Sequence, residues 1–240
     1  MVGRESQSMD ESQMVRFWEV DLLRGIAILL MVLYHFAFDL DYFGLVKIDV
    51  KSGVFLTIAR LAVTLFLLLV GLSLYLSLSR AVRLGRQDQF KKRLFRRSAW
   101  ILALALGITI VTYLLLGRGY IIFGALHMIG LSLPLAYPFL RLGRKNFILG
   151  SILIILGWYV QDISVDHYWL LWLGIAPPDF YSLDYIPLLP WFGVVLYGVG
   201  LGDLLYPGYK RRVNLLDQIT VSGCSCVRLL CYLGRNSLTI

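Results

Sequence analysis

The chain has 240 residues, of which 58% are hydrophobic and 16% charged, and its mean hydropathy is +0.73. This composition lies outside the usual range of soluble domains and excludes an ordinary water-soluble fold. The formal net charge of +8 would suit nucleic-acid binding, but most cations lie in short connections between apolar segments, so we expect no nucleic-acid partner. The sequence instead predicts an all-α protein that crosses a lipid bilayer several times.

Six apolar segments are predicted to be transmembrane helices, because about 20 apolar residues span a ~30 Å hydrocarbon core. They lie near residues 20–40, 54–79, 98–116, 121–140, 146–160 and 186–206. A weaker pattern, VRLLCYLGRNSLTI, indicates the beginning of a seventh span that the chain does not complete. We assign residues 1–15 to a polar cytoplasmic segment and residues 16–240 to a single transmembrane domain.

The charges of the connections predict the orientation of the bundle. Three connections on one side are strongly basic: 80–97, 141–145 and 209–212. The other side holds few cations, namely Lys47, Lys51 and Arg118, and its long loop 161–185 has four aspartates and no Lys or Arg. The positive-inside rule therefore predicts a multi-pass protein of the cytoplasmic membrane with its N-terminus in the cytoplasm. The basic segment 80–97 could fix this topology, bind anionic lipid or dock a phosphorylated cofactor.

Within the first span, an apolar run has an arginine at one end and a histidine at the other, in RGIAILLMVLYH. Eleven residues make about three helical turns, so Arg24 and His35 face nearly the same way, ~16 Å apart along the axis. Asp21 lies one turn before Arg24, and Asp39 lies one turn after His35. These spacings predict an Asp/Arg pair at one end and a His/Asp pair at the other, in which the carboxylate orients the imidazole.

Two further spans place ionisable residues at a depth similar to that of His35. These are Arg60 in the second span and His127 in the fourth. Ionisable groups inside a membrane cost at least ~2–3 kcal/mol each at its centre and normally face the bundle interior or water. We therefore expect a polar cavity that opens outward. The alternatives are a hydrogen-bonded cluster that holds the helices together and, for Arg60, a side chain that extends to the interface.

The remaining polar features are less specific. Loop 161–185 contains the amphipathic HYWLLWLGI and is expected in the outer interface, where Trp and Tyr are enriched. Three cysteines, Cys224, Cys226 and Cys231, have a C-x-C-x4-C spacing with no nearby histidine, which is a poor zinc signature. We therefore predict no metal site.

The segments VDLLRGIAILLMVLYHFAFDLDYF, FGALHMIGLS, DYIPLLPWFGVVLYGVG and LGRNSLTI, taken in this order, resemble prokaryotic members of the heparan-alpha-glucosaminide N-acetyltransferase catalytic-domain family. The similarity covers nearly the whole chain from about residue 16. The spacing of Arg24 and His35 also resembles the R-x10-H element of type 3 membrane acyltransferases. The resemblance implies transfer of an acyl group, typically acetyl, from cytosolic acetyl-CoA to a sugar or glycoconjugate beyond the membrane.

This resemblance implies roles for the ionisable residues. His35 would be the base, or would briefly carry the acyl group, and Asp39 would orient it. Arg60 or His127 would stabilise the oxyanion. CoA would bind to basic side chains, and the acceptor would bind to the aromatic and acidic side chains of loop 161–185. The donor candidates are Arg24, Lys91, Lys92 and Arg93, and the acceptor candidates are Trp169, Trp172, Asp179 and Asp184.

The sequence departs from the family pattern in two places. The proposed catalytic histidine of the eukaryotic enzyme lies in the segment after the first span, here DYFGLVKIDVKSG, which contains no histidine. Family chains also usually continue past LGRNSLTI into a last span with a Tyr-Leu-x-His-Gln-Pro-like element. A membrane transporter or a non-catalytic membrane protein therefore stays open as an alternative, and so does an oligomer.

Overall fold

A computed structural model describes residues 17–47, 49–50, 52–212 and 225–236. The described residues form α-helices at α1 (Trp18–Tyr42), α2 (Gly53–Arg83), α3 (Gln87–Leu116), α4 (Ala125–Ala136), α5 (Asn146–Gln161), α6 (Leu188–Leu205) and α7 (Ser225–Asn236). Short 3-10 helices lie at Tyr137–Lys145, Tyr168–Leu170 and Pro207–Tyr209. The β-type pairing within these ranges is one isolated bridge, between Ser164 and Ala176. The predicted all-α class is therefore confirmed.

Four helical segments are long and apolar enough to cross a membrane. They are α1, α2, α3 and the segment Leu188–Tyr209 that contains α6. The chain is thus a multi-pass membrane protein. The other two predicted spans correspond to α4, which has 12 residues before it continues as a 3-10 helix, and α5, which has 16. That α4 and α5 each cross the bilayer stays a prediction.

Helix α3 begins at Gln87, whereas the sequence placed its span from about residue 98. Lys, Arg and Gln are good helix formers, so the polar residues 87–97 continue the helix beyond its apolar part. The predicted basic connection 80–97 is consequently helical on both sides of a short turn at 84–86. Gly85 adopts a positive φ of 66° in this turn, a conformation that glycine reaches without strain.

The described part of the chain divides into two compact units, the residues up to 66 together with α7, and residues 67–212. In the first unit, α1 and α7 pack as an antiparallel pair. Gly25 lies against the backbone of Leu230, and Gly234 lies against the backbone carbonyl of Asp21. A Cβ atom at either glycine would overlap the facing backbone, so the absence of a side chain permits this close approach. α7 therefore packs against the N-terminal half of α1.

In the second unit, α6 packs against two helices through closely approaching backbones. Towards α2, Gly198 lies against the carbonyl of Leu68. Towards α5, Gly193 and Gly150 face each other, and a Cβ at either position would lie within 2.6–2.8 Å of the other carbonyl oxygen. Ten of the 18 residues of α6 are buried, which makes this helix a central part of the second unit.

A hydrogen bond and an ion pair join three segments at the basic end of the second unit. The Tyr75 hydroxyl of α2 donates to Asp203 Oδ1 of α6 at 2.7 Å. Arg144, in the connection before α5, places its Nε atom 3.8 Å from Asp203 Oδ2. These contacts place the ends of α2 and α6 and the basic segment 141–145 at the same end of this unit.

Candidate functional site

His35 of α1 is exposed, and its Nδ1 atom lies 2.8 Å from the carbonyl oxygen of Met31, one turn earlier. Because a carbonyl oxygen only accepts hydrogen bonds, Nδ1 must carry the proton. The neutral ring therefore has its lone pair at Nε2, which has no hydrogen-bond partner within the described part of the chain. The Tyr34 ring packs edge-on against the imidazole, with centroids 5.7 Å apart.

Asp39 lies one turn after His35 and is exposed. The hydrogen bond of the imidazole runs to Met31 on the preceding turn instead of to this carboxylate. An orienting role for Asp39 stays a prediction.

Arg24 forms the ion pair that the sequence predicted. Its Nη1 atom lies 2.8 Å from Asp21 Oδ1, and the two side chains are 16% and 9% exposed. The pair is internal to α1, and Asp21 also lies where α7 approaches. A contact between Arg24 and a CoA donor stays a prediction.

Arg60 of α2 is exposed. Its backbone carbonyl accepts a hydrogen bond from Thr64 Oγ1 at 2.7 Å. Over the residues that the structure describes, its guanidinium has no carboxylate partner. The roles predicted for Arg60, as a ligand of the oxyanion or as a side chain that extends to the interface, stay predictions.

His127 of α4 is 7% exposed and uses both ring nitrogens. Nδ1 accepts from the Gly124 N–H at 3.4 Å, so Nε2 carries the proton and donates to Thr109 Oγ1 of α3 at 3.3 Å. The Thr109 hydroxyl in turn donates to the Ala105 carbonyl at 3.3 Å. These bonds cap the beginning of α4 and tie it to α3, which is the arrangement expected of the structural alternative for this residue.

Asp184 also lies at the beginning of α4. Its Oδ2 atom accepts from the Ala125 N–H at 2.9 Å, and a carboxylate at a helix N-terminus is favoured by the free N–H groups there. The loop is fixed to the segment before α4 by backbone bonds from Leu183 to Gly119 and from Ile186 to Phe123, at 3.0 and 2.9 Å. Asp184 and His127 are therefore brought to the same helix end.

The other acceptor candidates are on the surface of loop 161–185. Trp169 is 86% exposed, Trp172 is 43% exposed, and Asp179 is also exposed. The backbone of Trp172 is fixed, because its carbonyl accepts from the Leu188 N–H at 2.8 Å. The loop thus presents aromatic and acidic side chains on an ordered backbone.

The basic donor candidates lie on the polar extension of α3. Lys91 Nζ lies 5.8 Å above the Tyr137 ring, a cation–π contact. Lys92 and Arg93 are exposed, and Arg93 Nη2 donates to Gln89 at 2.9 Å. Lys91 is exposed as well, but it lies on the side of α3 that contacts Tyr137.

The predicted catalytic residues are divided between the two units. His35, Asp39 and Arg60 belong to the first, and His127 belongs to the second. Their convergence on one polar cavity stays a prediction. Sequence reasoning missed Thr109 as the partner of His127, although the spacing of Gly124 and His127, three residues apart at a helix start, is typical of a capping side chain.

Of the three cysteines, Cys224 lies outside the described residues. Cys231 of α7 is a free thiol whose Sγ atom donates to the Trp18 carbonyl at 3.7 Å. It contributes to the packing of α7 on α1. The absence of a metal site stays a prediction.

The four long apolar helical segments define an α-helical membrane protein. The family model "Heparan-alpha-glucosaminide N-acetyltransferase, catalytic" matches residues 16–240. The chain belongs to this family, which indicates a membrane acetyltransferase. No curated protein and no solved structure matches the chain significantly.

Proposed function

We propose that this chain transfers an acyl group from an acyl-CoA to an extracytoplasmic sugar or glycoconjugate, with His35 as the general base. Family membership supports the reaction class. The observation that carries the role of His35 is its bond to the Met31 carbonyl. This bond fixes the tautomer whose Nε2 lone pair is exposed and able to take a proton.

In the proposed reaction, the acceptor hydroxyl or amine attacks the thioester carbonyl while Nε2 of His35 takes its proton. The tetrahedral intermediate then expels the CoA thiolate, and the imidazolium returns the proton to sulfur. In the second form of the proposal, Nε2 attacks the thioester carbonyl and CoA leaves as its thiolate. The acceptor then attacks the acyl group, the imidazole leaves, and the proton of the acceptor passes to the CoA thiolate.

Arg60 is the better supported of the two predicted oxyanion ligands. Its guanidinium is exposed and carries no carboxylate partner in the described chain, whereas the Nε2 proton of His127 is already donated to Thr109. A preorganised donor at the developing oxyanion is worth ~3–4 kcal/mol. We therefore assign Arg60 to the oxyanion and His127 to the positioning of α4.

The donor and acceptor are proposed to meet different parts of the chain. Arg24 and Lys91 are the proposed cations for the CoA phosphates. Trp169, Trp172 and Asp179 are the proposed acceptor surface, since exposed aromatic rings beside a carboxylate suit a polyhydroxylated ligand. We also propose that the basic connections are cytoplasmic, which follows the positive-inside rule and places the N-terminus there.

The three histidines of the chain provide a matched test. Protein purified in detergent is assayed for transfer or hydrolysis of acetyl-CoA, and its unfolding temperature is measured. His35→Ala is expected to lower kcat by ~10²–10⁴-fold because a general base is lost, with no change in unfolding temperature. His127→Ala is expected to lower the unfolding temperature, because the Gly124 N–H and the Thr109 hydroxyl lose a partner. The exposed His167 is the control, and His167→Ala should change neither.

The two forms of the proposal differ in a covalent intermediate. Radiolabelled acetyl-CoA mixed with the wild-type protein without acceptor should label the protein only if His35 carries the acyl group. Full turnover by His35→Ala would contradict both forms.

A further inference from the structure

Helix α3 has two distinct faces at its basic end. Leu94, Ser98 and Ala105 are buried, and Ser98 donates a hydrogen bond to the Gly130 carbonyl of α4 at 2.7 Å. The opposite face carries an outer stripe at four-residue intervals, which places its members above one another on a helix. The outer stripe consists of Lys92, Arg96 and Trp100, and all three are exposed.

The outer stripe lies where the polar part of α3 meets its apolar part. The apolar run begins at Ser98, so Arg96 precedes it by two residues and Trp100 lies just inside it. Trp100 is 67% exposed, and the neighbouring Phe95 is 46% exposed. Exposed Trp beside Lys and Arg at this boundary is the pattern of side chains at the level of lipid headgroups.

The charge around the outer stripe favours an anion. Segment 80–97 contains eight basic residues and one acidic residue, Asp88. Lys and Arg side chains bind a phosphate group in the same way whether it belongs to an anionic lipid or to a soluble ligand. The stripe lies on the outward face of one helix, and its aromatic member would be in contact with hydrocarbon, which favours a lipid as the source.

We propose that the outer stripe of α3 binds the headgroup phosphate of an anionic lipid such as phosphatidylglycerol. Arg96 and Lys92 contact the phosphate, and the Trp100 ring lies against the adjoining glycerol and upper acyl chain. The site goes beyond acyl transfer, and its test does not depend on enzyme activity.

The test compares two exposed arginines, Arg96 near the beginning of α3 and Arg118 just after its end. Arg96→Gln removes a cation from the outer stripe, and Arg118→Gln removes one from the turn that follows the other end of α3. Each variant is reconstituted in phosphatidylcholine vesicles that contain one-fifth phosphatidylglycerol. The affinity of spin-labelled phosphatidylglycerol relative to spin-labelled phosphatidylcholine is then measured at low and high salt.

The wild-type protein should prefer phosphatidylglycerol, and the preference should weaken in high salt. Arg96→Gln should lower it about fivefold, and Lys92→Gln/Arg96→Gln about 25-fold, since each cation near an anionic surface contributes a factor of about five. Arg96→Lys should retain most of the preference, and Arg118→Gln should leave it unchanged.

Three results would overturn the proposal. One is a wild-type protein without lipid preference, and another is an equal loss in Arg96→Gln and Arg118→Gln. The third is displacement of phosphatidylglycerol by millimolar inorganic phosphate or free CoA at constant ionic strength, which would assign the stripe to a soluble anion. Equal unfolding temperatures of the variants would exclude misfolding as the cause of any loss.

Discussion

Tyr185 links two parts of the loop before α6, because its hydroxyl donates a hydrogen bond to the Leu171 carbonyl at 2.8 Å. The Phe180 ring packs edge-on against it, with centroids 4.9 Å apart. Burial of the phenol raises the pKa of Tyr185 from 10 to about 12, because the ionised form would be poorly solvated. Both the hydrogen bond and this shift therefore stabilise the neutral side chain in the folded loop.

The stabilisation by Tyr185 should depend on pH with a definite sign. A pKa raised in the folded state gives stability that is complete below the unfolded value of 10 and is lost as the pH rises to about 12. Tyr185→Phe should be less stable than the wild type by about 1 kcal/mol at pH 8, the contribution of one hydrogen bond. This difference should shrink between pH 10 and 12. Thermal unfolding of both proteins across this range measures it, and a constant difference would contradict the assignment.

Residue spacing predicted one of the two local pairs of α1 and missed the other. The Asp21–Arg24 pair follows from a three-residue spacing and is present. His35 was expected to bond to Asp39, four residues later, whereas its ring reaches Met31, four residues earlier. Helical side chains point towards the N-terminus, so a short ring reaches the preceding turn more readily than the following one. Residue spacing alone does not show whether the imidazole bonds to the preceding or to the following turn.

At the scale of helices, the contact of α2 with α6 depends on glycine. The same helix pair has two such contacts, since Gly71 of α2 also lies against the Val195 carbonyl. Facing backbones cannot rotate away as a side chain can. Small residues of this kind allow membrane helices to approach closely and gain dispersion contacts that large residues would prevent.

Gly198→Ala should therefore separate α2 from α6 and destabilise the second unit by about 1–3 kcal/mol, the usual cost of overpacking. The Cβ would lie against the Leu68 carbonyl, 2.9 Å from its carbon atom and 3.0 Å from the Leu72 nitrogen. Gly107→Ala of α3 is the matched control, because a Cβ there meets nothing within 4 Å. Thermal unfolding in detergent should show a lower midpoint for Gly198→Ala and an unchanged or higher one for Gly107→Ala. Equal midpoints would contradict a tight α2–α6 contact.

The positions of the helices were largely predictable, and their ends were less so. Each of the six segments predicted from hydropathy contains an α-helix, and four of the helical segments are long and apolar enough to cross a membrane. Hydropathy placed the start of α3 eleven residues late, since helix formation by Lys, Arg and Gln leaves no hydropathy signal. It also placed residues 121–124 inside the fourth span, whereas α4 begins at Ala125, where His127 and Asp184 satisfy its first N–H groups.

At the scale of the whole molecule, the charges of the connections predict on which side of the membrane each connection lies, and chemical labelling can measure this. Arg86 and Arg118 flank a 30-residue helix, about 45 Å long, and must lie on opposite sides of a bilayer that α3 crosses. In a cysteine-free background, Arg118→Cys should react with an impermeant maleimide on intact cells. Arg86→Cys should react only after permeabilisation, because the basic connections are expected in the cytoplasm. Reaction of both on intact cells would contradict the predicted topology.

The division of the chain into two units was not predictable from its composition. The sequence predicted one domain over residues 16–240, a boundary that stays a prediction. What links α7 to α1 is a pair of glycines, Gly25 and Gly234, about 210 residues apart in the chain, and their pairing depends on tertiary contacts with no counterpart in hydropathy or charge. Long-range pairings of this kind are a part of the fold that a single sequence does not contain.

The pairing of α1 with α7 also has a consequence for biosynthesis. At a ribosomal rate of ~5–20 residues per second, roughly 200 residues take ~10–40 s to emerge after α1, so this helix waits in the lipid for its partner. A lone helix can do so because its backbone bonds are satisfied internally. Two of its charges are compensated in the same way, because Asp21 and Arg24 form an ion pair within α1 that needs no residue of the later helices.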